Sequence, residues 1–180
     1  MPNYNYKVRL HGIRAFAFDV DGVMTDGAII STTDGELLRT FDSKDGFGIR
    51  MCCMKGYPVG IITGGFSRST FNRFTGLGIP EEDICQKSRD KMPDFLKFCQ
   101  RHGLRPEEVV YAGDDIPDIP VLLTAGLSAA PADAAPEVKE VCDYVSLFKG
   151  GHGFVRDLIE QVLKVQGNWS LDTALFARKY

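Results

Sequence analysis

The sequence predicts an α/β fold, a doubly wound parallel sheet of the Rossmann-like kind, and three observations carry that prediction. Short apolar runs alternate with segments of helical spacing from Ile13 to Val165. The runs are mostly apolar rather than apolar at every second position, as strands buried on both faces are. Acids or a hydroxyl follow three of these runs within two residues, at the sheet edge where open α/β folds bind ligands.

The first strand is expected at Ile13–Phe18 and leads into Asp19-Val20-Asp21-Gly22. Side chains alternate along a strand, so Asp19 and Asp21 point to the same side. Two like charges there are costly unless a divalent cation or a transferring phosphoryl group uses them. Asp-Gly is also an ordinary turn after a strand, and the pair alone does not separate the two.

Ala28–Ser31 and Leu37–Phe41 then flank Thr33-Asp34-Gly35-Glu36, a hairpin signal placed at about residues 27–42. The hairpin would project beside Asp19 and Asp21. A two-stranded ribbon is marginal alone, and we place its cover on another subunit rather than on its own body.

A helix at Gly46–Lys55 precedes a strand at Tyr57–Ile62, which ends in Thr63-Gly64-Gly65. A hydroxyl and adjacent backbone N–H groups at a helix mouth suit a phosphate; an ordinary strand-to-helix turn has the same residues. A helix at Ser67–Thr75 and a weak strand at Asp83–Gln86 follow. Lys91 opens the next helix, Lys91–His102, where a positive charge opposes the helix dipole.

The strand Val109–Ala112 runs into Gly113-Asp114-Asp115. If it lies beside the first strand, Asp114 and Asp115 face Asp19 and Asp21. Carboxylates so concentrated need a metal, and hard oxygen donors select Mg²⁺. Helices at Ile119–Thr124, Pro136–Val141 and Phe154–Val165, with strands at Leu127–Ala130 and Tyr144–Leu147, complete the alternation. In the tail, about residues 167–180, Trp169, Leu171, Leu175 and Phe176 suggest a short amphipathic helix.

With 180 residues the chain suits one domain, residues 1–180, and its 44% hydrophobic and 25% charged content is that of a globular protein. A net charge of −3 argues against nucleic acid or an anionic membrane as partner. No run approaches the ~20 apolar residues of a membrane span, and the N-terminus has no apolar leader. Five cysteines (Cys52, Cys53, Cys85, Cys99 and Cys142) without C-x-x-C spacing read as reduced core thiols. A cytoplasmic location is the expectation.

Taken together, Asp19-Val20-Asp21-Gly22, Thr63, Lys91 and Gly113-Asp114-Asp115 resemble the motifs of the haloacid dehalogenase superfamily, over about Ile13 to Val165. The resemblance implies that Asp19 is the nucleophile and that Asp21 is the general acid/base. It implies Mg²⁺ held by Asp19, the carbonyl of Asp21 and Asp114, with Asp115 orienting that shell. Thr63 and Lys91 would hold the phosphoryl oxygens. A carboxylate attacking a phosphate dianion needs such cations to offset like-charge repulsion.

Within the superfamily, Phe18–Gly27, Phe41–Arg50 and Gly150-Gly151-His152-Gly153 resemble the capless group that includes the 3-deoxy-D-manno-octulosonate 8-phosphate phosphatases. That resemblance implies a sugar acid phosphate substrate and lipopolysaccharide precursor synthesis. It also implies a homotetramer in which hairpins share a barrel, a neighbour closes the site and the tail can reach a neighbour's site. The substrate contacts implied are Asp21, Asp42, Ser43, Lys44, Asp45, Gly46, Arg50, Gly64, Arg73 and Lys91. Arginine forks suit a sugar acid's carboxylate.

Three positions depart from the pattern: Gly65 and His152 where arginine is common, and Gln86-Lys87 in place of Gln-Gly. We expect them around the sugar rather than the phosphorus. A nine-carbon nonulosonate 9-phosphate is therefore the alternative substrate, and a catalytically silent oligomerisation domain is the alternative role. A signalling receiver would place its paired acids and its acceptor aspartate in a different order. A phosphosugar mutase would need a cap, for which no segment is long enough.

Overall fold

The computed structural model describes residues 5–169. The chain enters through α1 (Tyr6–Arg9), a single turn capped by Asn5 that the apolar pattern did not signal. Then come β1 (Ala15–Phe18), the hairpin strands β2 (Ile30–Ser31) and β3 (Leu37–Leu38), and α2 (Ser43–Met54). The sheet continues through β4 (Val59–Ile62), α3 (Arg68–Gly76), β5 (Ile84–Cys85), α4 (Lys91–Arg101) and β6 (Val109–Ala112). It closes with α5 (Ile119–Leu122), β7 (Leu127–Ala130), α6 (Pro136–Val141), β8 (Tyr144–Val145) and α7 (Phe154–Val165). The tail helix expected over Leu171–Phe176 lies outside the described residues.

The main sheet has strand order β5-β4-β1-β6-β7-β8, and each of its pairings is parallel. Phe18 is in register with Ile61 on one side and Ala112 on the other. The chain therefore winds outward from β1 through β4 to β5, then crosses back to β6. That reversal puts the switch point at β1, where the Asp19, Thr63 and Asp114 segments leave the sheet side by side.

Burial divides the core by strand face. Phe16 and Phe18 join Ile49, Phe74, Phe154 and Leu158 in the layer under α2, α3 and α7. Ala15 and Ala17, on the opposite face, meet Phe95, Phe98, Tyr111 and Val121 under α4 and α5. Removing each such phenyl side chain from water contributes roughly 2–3 kcal/mol. The small alanines leave room for the larger rings that reach across from α4 and β6.

α2 begins three residues before its expected start because Asp42 caps it, accepting from the N–H groups of Lys44 and Asp45. The hairpin pairs Ile30 with Leu38 and turns at Gly35. It is tied to its own body by polar contacts: Arg39 to Asp21, and Ser67 Oγ to Glu36 Oε1 at 2.8 Å. Its apolar residues remain exposed, Ile29 by 47%, Ile30 by 57% and Leu38 by 38%. The five cysteines are free thiols.

Candidate active site

The C-terminal edge of β1, β4 and β6 opens into a cavity of about 450 Å³, with Asp19, Asp21, Thr63, Lys91, Asp114 and Asp118 in its wall. Asp19 follows β1 directly and is anchored by its N–H to the carbonyl of Ala112 at 3.0 Å. Its carboxylate is almost buried, and Lys91 Nζ lies 3.0 Å from Oδ1. Burial pushes the Asp19 carboxyl up to about 7, helped by the charge of Asp118 and opposed by Lys91.

Asp114, from the adjacent β6 loop, is pushed up to about 8, first by burial and then by the charges of Asp19 and Asp118. Glycine at position 22 is what lets the two acid motifs close on each other. A Cβ there would lie 1.9 Å from Asp114 Oδ2, and the backbone is left-handed with φ of 85°.

One member of the cluster was not among the expected site residues. Asp118 is fully buried and binds in four directions. Oδ1 accepts from Lys91 Nζ at 2.6 Å and from the Tyr111 hydroxyl at 2.7 Å. Oδ2 accepts from the N–H groups of Asp114 at 3.1 Å and Asp115 at 3.3 Å. It was legible only as a third acid after Gly113, in a stretch that reads equally as a capped turn.

Asp115, expected to orient the metal shell, is exposed and caps its own turn by accepting from Ile116 N–H at 2.9 Å. It lines the cavity, but the carboxylate inside the acid cluster at that turn is Asp118.

The donor set fits a divalent cation. One carboxylate oxygen each from Asp19, Asp114 and Asp118 falls within a 4.8 Å span. Asp114 Oδ1 is buried without a hydrogen-bond partner. A hard cation would satisfy that oxygen and offset both the burial and the like-charge repulsion that raise the two carboxyl pKa values.

Thr63 is nearly buried at the end of β4, and its Oγ1 accepts from Gly65 N–H at 3.2 Å, leaving its own hydrogen for a ligand. Gly64 lines the same wall, as do Ser88 and Arg89 from the loop before α4. The carboxylate of Asp21 is held by Arg39 of the hairpin.

Among the expected sugar contacts, Asp42, Ser43, Lys44, Asp45, Gly46, Arg50 and Arg73 do not line this cavity. Asp42 is the α2 cap. Asp45 is buried and caps α7, accepting from Gly153 N–H at 3.2 Å and Arg156 N–H at 2.8 Å. Arg73 lies over Gly46, where a Cβ would come within 2.3 Å of its Nη2. Ser43 and Lys44 are exposed at the start of α2.

Within the one chain, the three departures lie in three different surroundings. Gly65 lines the main cavity. Lys87 adopts φ of 61°, a left-handed backbone that a glycine would take without strain. His152 is exposed and borders a separate groove with Lys44, Phe148 and Arg156.

A model of the haloacid dehalogenase-like hydrolases matches residues 68–158. The 3-deoxy-D-manno-octulosonate 8-phosphate phosphatase of Escherichia coli is 38% identical over 159 residues, which is 88% of this chain and 84% of that protein. The Yersinia pestis enzyme of that name superposes with a TM-score of 0.87 at 38% identity, over 90% of this chain and 86% of its own. The Moraxella catarrhalis enzyme, solved with a magnesium ion, a phosphate ion and a KDO molecule, gives a TM-score of 0.88 at 32% identity. That match covers 94% of this chain and 97% of the other. The chain belongs to the haloacid dehalogenase-like hydrolases. Within them it falls with the capless 3-deoxy-D-manno-octulosonate 8-phosphate phosphatases.

Proposed function

We propose that this protein is a Mg²⁺-dependent phosphatase that hydrolyses 3-deoxy-D-manno-octulosonate 8-phosphate to the free sugar acid and phosphate. The chemistry is carried by one observation: a buried aspartate with a lysine 3.0 Å away, beside one further buried acid and one half-buried acid at the sheet's switch point. The substrate is supported by 38% identity to the Escherichia coli phosphatase across most of both chains.

Asp19 attacks phosphorus, forming an aspartyl phosphate as the bond to the sugar oxygen breaks. Asp21 gives that oxygen its proton, then takes one from the water that hydrolyses the aspartyl phosphate. Thr63, the N–H groups at Gly64 and Gly65, and Lys91 hold the phosphoryl oxygens. Asp19, the Asp21 carbonyl and Asp114 would hold Mg²⁺, which when bound would supply positive charge to offset the repulsion between the attacking carboxylate and the phosphate. Asp118 keeps Lys91 and the Asp114 loop in place, while Asp115 shapes the mouth.

The protein acts in the cytoplasm, in lipopolysaccharide precursor synthesis, as one domain assembled into a homotetramer. The exposed Ile29, Ile30 and Leu38 support an assembly through the hairpins. A neighbour closing the site would bring it Ser43 and Lys44, which are exposed and outside their own chain's cavity.

Phosphate release with Mg²⁺ across a panel of sugar phosphates tests this reading. Turnover of the octulosonate 8-phosphate should be highest and should vanish in Asp19→Asn. Retained turnover in that variant would remove Asp19 as nucleophile. A tenfold preference for a nine-carbon substrate, about 1.4 kcal/mol, would overturn the substrate. A monomeric mass in solution would overturn the tetramer.

A further inference from the structure

Arg39 leaves an otherwise exposed ribbon and becomes almost fully buried, with 3% of its side chain accessible. It meets Asp21 fork to fork. Nε donates to Oδ1 at 2.5 Å and Nη2 to Oδ2 at 3.0 Å, while Nη1 donates to the carbonyl of Leu37 at 3.0 Å. All three guanidinium nitrogens are therefore engaged, and the plane of the group is fixed. The backbone of Gly65 borders the same space: a Cβ there would lie 2.9 Å from Arg39 Nη2 and 3.4 Å from Asp21 Oδ2. The nearby contact of Glu36 with Ser67 holds the same hairpin arm to the body.

We propose that Arg39 is a positioning residue for Asp21, which makes the hairpin part of its own chain's catalytic apparatus. This rests on the reading of Asp21 as the proton carrier. The Asp21 carboxylate is 29% accessible on a turn, and without a partner it would rotate freely. A bidentate guanidinium fixes both of its oxygens and their plane, which a lysine ammonium does not. Proton transfer requires a donor within about 2.6–3.2 Å of the leaving oxygen, so a loose carboxylate loses rate.

The leaving group separates this role from a merely structural one. When the P–O bond of a sugar phosphate breaks, the bonding pair goes to an alkoxide that must take a proton from Asp21. When p-nitrophenyl phosphate reacts, the pair leaves on p-nitrophenolate, which needs no proton. Losing the position of Asp21 therefore slows alcohol release from the first ester far more than from the second, whereas the later hydrolysis of the aspartyl phosphate is the same step for both.

The test uses the Mg²⁺-loaded enzyme with Arg39→Ala and Arg39→Lys, measuring kcat, KM and single-turnover alcohol release on both esters. Arg39→Ala should lower release from the sugar phosphate by about 10²-fold, the scale of an ångström-level misplacement. That loss should exceed the loss on p-nitrophenyl phosphate at least tenfold, with KM for the sugar phosphate changed less than threefold. Arg39→Lys, which keeps the charge without the fork, should fall between Arg39→Ala and the native enzyme. Equal losses of single-turnover alcohol release from both esters, or a loss confined to KM, would overturn the proposal. Asp21→Asn in parallel separates the two readings. A uniform loss there removes Asp21 as proton carrier and this inference with it. A selective loss there without one in Arg39→Ala sinks the inference alone.

Discussion

Lys91 Nζ lies 2.6 Å from Asp118 Oδ1, closer than the 3.0 Å that separates it from Asp19. Burial works against the lysine's charge, but the two carboxylates hold its pKa above the ordinary value. A cation in the first turn of α4 opposes the helix dipole by about 0.3–1 kcal/mol. Two buried acids outweigh that, and the lysine is held beside both at the cavity wall.

Asp118→Asn should therefore harm both stability and catalysis. Removing one partner of a buried ion pair costs about 3–5 kcal/mol. Displacing Lys91 and the Asp114 loop together should lower kcat by about 10²-fold. Denaturant unfolding and phosphate release measure the two losses; a kcat within threefold of native would count against the role given to Asp118.

The raised carboxyls make magnesium's effect depend on pH. Asp19 at about 7 and Asp114 at about 8 in the fold, against 3.8 for each unfolded, mean that the metal-free folded chain binds more protons between these limits. Its stability contribution from these groups is thus present below about pH 4 and is lost as pH rises through 7 to 8. Mg²⁺ binds the ionised acids and reverses that loss. The rise in Tm on replacing EDTA with Mg²⁺ should be larger at pH 8 than at pH 5.5, and equal rises would argue that the cation binds elsewhere.

Asp45→Ala tests whether that acid serves the α7 N-terminus or the substrate. Loss of a helix cap costs about 0.5–2 kcal/mol, so Tm should fall while KM for the sugar phosphate stays within twofold. A large rise in KM at unchanged Tm would restore Asp45 as a substrate contact.

Gly150→Ala probes the support beneath the first acid motif. A Cβ at 150 would lie 1.8 Å from the Gly22 carbonyl oxygen, and backbone cannot swing aside. Overpacking costs about 1–3 kcal/mol, and the push falls on the turn carrying Asp21. We expect lower Tm and lower kcat together; a fully active variant would show that the turn can yield.

Lys87 sets two small effects against each other. Its left-handed backbone costs about 1–2 kcal/mol in a non-glycine residue. Its ammonium lies 4.4 Å from the centre of the Phe66 ring, a contact that contributes about 0.5–1 kcal/mol at an exposed site. Lys87→Gly should be neutral to slightly stabilising, and Lys87→Ala, which keeps the strain and loses the contact, destabilising. Thermal unfolding of the two variants in opposite order would contradict this account.

The parallel sheet was legible because its four central strands are buried on both faces and so are almost continuously apolar. Strand ends were less so. The runs at Ile13–Phe18 and Tyr57–Ile62 shorten by two residues each at their N-terminal ends, since apolar residues begin before the ladder does. Asp19, Thr63, Lys91 and Asp114 could be picked out because each stands at a strand end or helix start, positions the chain itself marks.

Asp118 and Arg39 were not legible in that way. An aspartate after Ile-Pro looks like a turn former, and an arginine on a polar hairpin looks like a solvated edge. Asp45 was ambiguous for the opposite reason, since helix caps and ligand contacts draw on the same residue type, and the structure shows it accepting from the α7 N-terminus. Sequence by itself determined the sheet, its edge and the acids set along it, because local apolar pattern and spacing suffice for those. Which acid meets Lys91, and which cation meets Asp21, was decided only by the tertiary structure. Those pairings join residues 27 and 18 positions apart, and they form only where β1, β4 and β6 lie side by side and the hairpin folds back over them.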